Sequence, residues 1–187
     1  MRALLKFSAA IDRLLAFIAT IGMWFGPILM VIVMYDVGSR YFGLPKPFGL
    51  NSTMVQEAEY WAHTVLFALV IGYAYIRQAH VRIDLVRDHL PIKVRYAIEI
   101  FGIVFFLFTY VTVAVIYTAE YAHTSFAEHE VSSSTIGLTN LWILKSFLPI
   151  MFILIGLAGI SQLIKATAGL MGRLPAEKIA ETLGGDL

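Results

Sequence analysis

The stretch QAHVRIDLVRDHL, residues 78–90, carries histidines and carboxylates, residue types that can hold a metal ion or transfer protons. His80 and His89 are nine positions apart, which is poor spacing for a shared ion, and the neighbouring arginines would repel a cation. We therefore interpret the stretch as a short amphipathic helix, not as a metal site, and Pro91 is well placed to begin the helix that follows. The apolar face of the short helix would consist of Val81, Leu85 and Val86.

His63 falls inside a long apolar segment, where a histidine could ligate haem or carry a proton. A bis-histidine haem site needs a second histidine at similar depth, and the other four fall in loops or at segment ends. We therefore expect His63 to be a hydrogen-bonding residue just below the membrane surface. The segment HTSFAEHE offers His123, His129 and Glu130 as metal ligands, but we expect an ordinary polar loop there.

Charged residues inside or beside the apolar segments are informative, because each costs on the order of 3 kcal/mol at the membrane centre unless it is paired. We expect Lys145 to pair with Glu120 or Glu59, or to extend alone to the outer headgroups. A pair between Arg40 and Glu57 or Glu59 would tie the first two helices together. The charged residues at this end of the predicted bundle are Asp36, Arg40, Glu57, Glu59, Glu120 and Lys145.

Membrane helices are the elements that must position these side chains. Hydrophobic residues make up 59% of the chain, against roughly 45 to 50% in a soluble domain. Lipid offers no partners to backbone polar groups, so long apolar runs must be helical. We predict one all-α transmembrane domain with no enzymatic activity, no metal or other cofactor of its own and no affinity for nucleic acid. Its four spans would cover approximately residues 14–35, 58–76, 97–119 and 141–164.

The first predicted helix has two features that bear on its packing. Gly22 and Gly26 form a small-xxx-small pair that would let another helix approach closely, and Pro27 predicts a kink. Residues 1–13 alternate apolar and basic side chains, which favours a helix lying on the cytoplasmic surface. A simple extension of the first span explains the same pattern.

The positive residues predict the orientation, because basic loops are retained in the cytoplasm. Most of the 14 lysines and arginines lie in the N-terminal tail, the loop between the second and third spans, and the tail from residue 165 onward. The other two loops offer only Arg40 and Lys46. Both termini are therefore expected in the cytoplasm, which places residues 78–90 at the inner headgroups and in contact with lipid.

Four motifs, in this order on four spans, resemble one family, the small membrane subunit (DctQ type) of tripartite ATP-independent periplasmic (TRAP) transporters. The resemblance covers nearly the whole chain. One departure is the absence of the usual proline after Gly137 and Leu138, where Thr139 and Asn140 stand instead. The motifs are DVGSRYFG (36–43), QEAEYW (56–61), HVRID (80–84) with LP at 90–91, and GLTNLWILKSFLP (137–149).

The resemblance implies a non-catalytic scaffold subunit in a bacterial or archaeal inner membrane. Its partners would be a large membrane subunit (DctM type), which binds sodium and moves an organic anion by an elevator motion, and a periplasmic protein that delivers the anion. Sodium and substrate sites would lie in those partners. His80, Arg82 and Asp84 belong to the third motif, so we expect them to brace their loop or a subunit contact.

The loops on the outer side are polar and poor in basic residues, so we expect Lys46, Glu128 and Glu130 to help dock the binding protein. Two other classes remain open at this point. A haem- or quinone-binding membrane anchor of an electron-transfer complex would also have few spans and embedded histidines. A small channel or independent carrier would transport without a partner.

Overall fold

The structure is a computed structural model that describes residues 1–46, 49–79, 89–134, 136–175 and 179–183. Every regular element in these ranges is helical and none is a strand, so the all-α prediction is confirmed. In chain order the elements are α1 (Arg2–Met23), α2 (Phe25–Tyr41), α3 (Ser52–Ile76), α4 (Ile92–Phe101), a π-helical segment (Gly102–Leu107), α5 (Phe108–Ala127), α6 (Leu141–Leu170) and α7 (Ile179–Leu183).

A single turn at Trp24 separates α1 from α2. Pro27 has no N–H to donate to the carbonyl of Met23, and its ring crowds that carbonyl, so the helical hydrogen-bond ladder is interrupted there. Just before this point, the amide of Trp24 donates to Ile21 O, three residues earlier, at 3.2 Å. The interruption falls next to Pro27, where the sequence predicted a kink; the backbone of Trp24 itself keeps helical φ and ψ angles. Since α1 begins at Arg2, the N-terminal segment is continuous with the first span.

Three of the four predicted spans lie in helices of the described chain that are long and apolar enough to cross a membrane: Arg2–Tyr41, Ile92–Ala127 and Leu141–Leu170. The predicted count of four is wrong by this measure. The predicted span at 58–76 lies in α3, which has 25 residues but is less apolar because it carries Glu57, Glu59, His63 and several tyrosines.

The two central helices of the bundle are α3 and α6. Helix α3 packs against α1, α2 and α6, and α6 also packs against α1, α4 and α5. Glycines permit the closest approaches: a Cβ on Gly22 would lie 2.7 Å from Leu69 Cβ, and one on Gly72 would lie 2.8 Å from Leu154 O. Nothing lies within 4 Å of a Cβ built on Gly26, so only the first glycine of the predicted pair packs closely.

The bundle brings the beginning and the end of the described chain to one end, which we call the tail end. There Ser8 Oγ lies 2.7 Å from Ser161 Oγ, and Gln78 Nε2 donates to Thr182 O at 3.0 Å. The opposite end, which we call the loop end, contains the described residues within 36–59 and 120–145. The tail end therefore joins the start of α1, the end of α3 and the end of α6.

A charge-free stretch runs through the middle of each long helix between these two ends. The stretches are each about 25 to 33 Å long at 1.5 Å per residue, which matches a hydrocarbon core about 30 Å thick. Helix α3 contains one of them although it is less apolar than the others. They cover residues 14–35, 60–76, 100–119 and 146–164.

Candidate docking site at the loop end

The loop between α5 and α6 is folded against the first turns of α3. Glu57 Oε1 accepts a hydrogen bond from Ser132 Oγ, and Glu57 Oε2 accepts one from the amide of Leu138. Asn51 adds a third contact, because its Nδ2 donates to Ile136 O at 2.7 Å. The same Asn51 caps α3 by accepting from Met54 N at 2.9 Å, so helix start and loop are fixed together.

Gly137 fits into this contact because it has no side chain. A Cβ at this position would collide with Ser132 Oγ, Ser132 Cβ and Glu57 Oε1. The loop therefore needs glycine here for space, although its φ is not in the left-handed region.

Lys145 holds the other side of the same loop. Its Nζ forms an ion pair with Glu130 Oε2 and lies 3.8 Å from the centroid of the Tyr121 ring. The hydrogen bond from Lys145 lowers the pKa of the Glu130 carboxyl below its usual value. The predicted pairing of Lys145 with Glu120 or Glu59 is wrong, because the loop folds back and brings a nearer carboxylate to the ammonium group.

Arg40 makes its ion pair within its own helix. Arg40 Nη2 lies 2.8 Å from Asp36 Oδ2, one turn earlier in α2, so the predicted partners Glu57 and Glu59 do not form this pair. With the amide oxygen of Gln56 turned toward the guanidinium, that oxygen accepts from Arg40 Nη1 at 3.2 Å. The expected link between the first two predicted spans therefore joins α2 to α3, and the neutral amide of Gln56 makes it in place of a carboxylate.

The remaining residues predicted at this end lie near the same loops. Lys46 Nζ donates to Ser52 Oγ at the start of α3. Glu128 is exposed just after α5, and Glu120 is exposed about two turns before the end of α5. Neither carboxylate forms an ion pair among the residues that the structure describes. Glu59 is half-buried and lies close enough to Arg40 for the two charges to interact.

The histidines occupy separate positions. His63 is exposed on α3 and packs edge-on against Phe67 with ring centroids 4.6 Å apart. His129 lies against Phe126, with centroids 6.4 Å apart. Within the described ranges no three metal-binding side chains come together. His80, Arg82 and Asp84 of the third motif lie outside the described residues.

A polar network at the tail end was not anticipated from the sequence. Lys165 Nζ lies 2.7 Å from Asp12 Oδ2, and Ser161 Oγ donates to Asp12 Oδ1. Lys165, which the predicted boundaries placed in the tail, is only 3% exposed within α6. A sequence signal existed: Ser8 and Asp12, like Ser161 and Lys165, are four apart, so each helix presents a serine and a charge of opposite sign on one face.

At the loop end, the carboxylates of Glu57 and Glu130 hold the loop in shape, while two apolar side chains of the loop are exposed. Val131 is 57% exposed and Ile136 is 53% exposed. Both lie outside the charge-free stretches. Such an arrangement can bind another protein.

Three of the four motifs behind the family resemblance meet at this site, through Arg40 with Gln56 and through Glu57 with Leu138. No curated protein and no solved structure matches the chain. A family model described as "Tripartite ATP-independent periplasmic transporters, DctQ component" matches residues 29–169. That match covers α3, α4, α5, nearly all of α6 and most of α2, so the chain belongs to the DctQ family of TRAP transporter components.

Proposed function

We propose that this chain is the non-catalytic scaffold subunit of a sodium-coupled TRAP transporter. In this role it supports a large elevator-type subunit, which imports an organic anion delivered by a periplasmic binding protein. The family match carries the proposal, because a DctQ component is one of three parts of such a transporter. Sodium and substrate are assigned to the large subunit.

The surface of the bundle supports a subunit role. Exposed aromatic and aliphatic side chains run along the π-helical segment and α5, and a second exposed apolar face runs along α2. These faces suit lipid or another membrane protein, since both are as apolar as the side chains themselves. The first face includes Phe105, Phe106, Tyr110, Val113 and Tyr117, and the second includes Met30, Val31, Met34 and Val37.

The charge-free stretches favour α3 as a further membrane crossing, shielded by α1, α2 and α6. With α3 included, the number of crossings is even, which agrees with both ends of the described chain lying at the tail end. The excess of lysine and arginine assigns that end to the cytoplasm.

Reconstitution tests the scaffold role directly. In liposomes the chain alone should show no uptake, whereas the chain with its large subunit should take up substrate when the binding protein and an inward sodium gradient are supplied. The chain should also co-purify with the large subunit in mild detergent. Uptake by the chain alone would identify an independent carrier and contradict the proposal.

The loop end is proposed as the docking face for the binding protein, through Lys46, Glu128 and Glu130. Its support is the position of the folded loop outside the charge-free stretches, with Glu128 exposed. Reversing the charge with Glu128→Lys should weaken binding of the binding protein to the two-subunit complex while leaving that complex assembled. Glu130→Lys changes two things at once, because it reverses the charge and also removes the ion-pair partner of Lys145.

A haem- or quinone-binding anchor is the less favoured alternative. An absorption spectrum of the purified protein tests the haem-binding form of this alternative, because a bound haem gives a strong Soret band, and organic extraction of the protein tests for a bound quinone. The scaffold proposal expects a spectrum with aromatic absorption only.

A further inference from the structure

We infer that Glu57 is a positioning residue that holds the loop between α5 and α6, at residues 130–134 and 136–140, in its docking shape before the binding protein arrives. The inference rests on the proposed function, which supplies the partner. It gives Glu57 a different role from the ion pair with Arg40 that the sequence led us to expect.

One carboxylate joins the two arms of the loop. Glu57 accepts from Ser132 on the outgoing arm and from the amide of Leu138 on the returning arm. The arms also bond to each other, because Ser132 N donates to Leu138 O at 3.1 Å. Ser132 Oγ in turn accepts from Ser134 N at 3.1 Å, so the carboxylate fixes a hydroxyl that itself shapes the turn.

The rest of the loop is held independently of Glu57. Leu141 N donates to Glu130 O at 3.2 Å where the loop closes, and Lys145 pairs with the Glu130 side chain. Removing the Glu57 carboxylate should therefore loosen the middle of the loop and leave its base intact.

The exposed side chains of the held loop indicate the partner. Val131 and Ile136 are more than half exposed outside the lipid-covered part of the bundle, and the exposed carboxylate of Glu128 lies beside them in the chain. An apolar centre with an acidic edge fits a protein surface that has an apolar centre and a basic rim. We assign that surface to the binding protein.

Ordering a flexible loop on binding costs conformational entropy, and a loop that is already held avoids that cost. Loss of the Glu57 contacts should therefore weaken docking without slowing transport once docking is saturated. A purely structural role would instead lower the amount of assembled complex or its maximal rate.

The variants separate these possibilities. Glu57→Ala removes both acceptors, whereas Glu57→Gln keeps an oxygen for the Leu138 amide and an NH₂ group that can donate to the Ser132 hydroxyl. Glu120→Ala is the matched control, because it removes an exposed carboxylate at the same end of the bundle. On the loop side, Ser132→Ala removes one contact and Ser133→Ala removes an exposed neighbouring hydroxyl.

Amide hydrogen exchange of the two-subunit complex is the first measurement. The Leu138 amide should exchange about tenfold or more faster in Glu57→Ala and at the wild-type rate in Glu57→Gln and Glu120→Ala. Equal exchange in Glu57→Ala and the wild type would overturn the inference.

Binding of the cognate binding protein to the complex in nanodiscs is the second measurement. Glu57→Ala should raise the Kd by about tenfold and Ser132→Ala by about threefold, with Glu57→Gln and Ser133→Ala near the wild type. Maximal uptake at saturating binding protein should be unchanged.

The contrary outcomes are distinct. Unchanged affinity in Glu57→Ala and Ser132→Ala overturns the positioning role alone. Release of the large subunit by Glu57→Ala would assign the loop to the subunit interface and also overturn it. If the wild-type complex fails to bind the binding protein, the docking part of the proposed function falls together with this inference.

Discussion

Asp12 and Lys165 form a buried ion pair at the edge of the charge-free part of the bundle. Lys165 is almost fully buried, and Asp12 keeps 24% of its side chain exposed. Removing one member of a buried pair leaves the other charge desolvated and unpaired, which costs more than the pair itself contributes. Ser161 donates to Asp12 Oδ1, so the loss of Lys165 would leave Oδ2 without the partner that it has here.

Lys165→Met should therefore destabilise the protein by about 3 kcal/mol, less if water reaches Asp12. The double variant Asp12→Leu with Lys165→Met should recover most of this loss, because no unpaired charge remains. The measurement is the Tm of the purified protein in detergent, with Arg173→Met as the control for an exposed basic residue at the same end. A double variant no more stable than the single one would show that the pair itself is indispensable.

The choice of ion-pair partners shows what residue spacing can and cannot predict. Position along a helix gives the depth of a side chain in the membrane, so Lys145 and Arg40 were correctly expected near one end. Depth does not give the rotation of a helix about its axis or the path of a loop. Glu130 was therefore missed as the partner of Lys145, since only the folding of its loop brings the two together.

Gly22 determines how closely α1 and α3 can pack. Gly22→Ala would insert a methyl group 2.7 Å from Leu69 Cβ, a contact that forces the two helices apart. We expect a loss of about 1 to 3 kcal/mol in the free energy of unfolding. Gly26→Ala is the matched control four residues later, where nothing lies within 4 Å.

The control should be neutral or stabilising by up to about 1 kcal/mol, because alanine favours a helix over glycine. Both free energies can be measured by unfolding in mixed micelles. Equal stability of the two variants would mean that α1 moves away from α3 without cost. It would also remove the argument that this glycine was needed for packing.

Helices and their approximate places followed from the sequence because apolar runs in lipid have few alternatives. The helical ends did not. Helix α6 continues to Leu170, beyond the predicted boundary at residue 164, because the Asp12 pair lets Lys165 stay inside the bundle. Similarly, the sequence placed Glu57 at the start of a span, while its contact with the distant Leu138 depends on tertiary packing.

At the scale of the whole molecule, the proposed membrane topology depends on whether α3 crosses the membrane. The proposed arrangement has both ends of the described chain on one side of the membrane, and it requires α3 to cross although α3 is not among the three helices that are apolar enough by composition. The bundle supplies the compensation: the buried face of α3, including Val65, Ala68 and Gly72, packs on α1 and α6. Its charge-free stretch of about 25 Å is short enough for modest thinning or tilting to accommodate.

Single-cysteine labelling tests this topology with no background, because the chain contains no cysteine. Leu50→Cys and Ala79→Cys place exposed thiols just before and just after α3, and Ser133→Cys marks the loop end independently. In spheroplasts, an impermeant maleimide should label Leu50→Cys and Ser133→Cys and should reach Ala79→Cys only after lysis. Labelling of Leu50→Cys and Ala79→Cys at the same rate would mean that α3 does not cross. Labelling of Ala79→Cys alone would mean that it crosses in the opposite direction, with the loop end in the cytoplasm and the proposed docking face on the wrong side of the membrane.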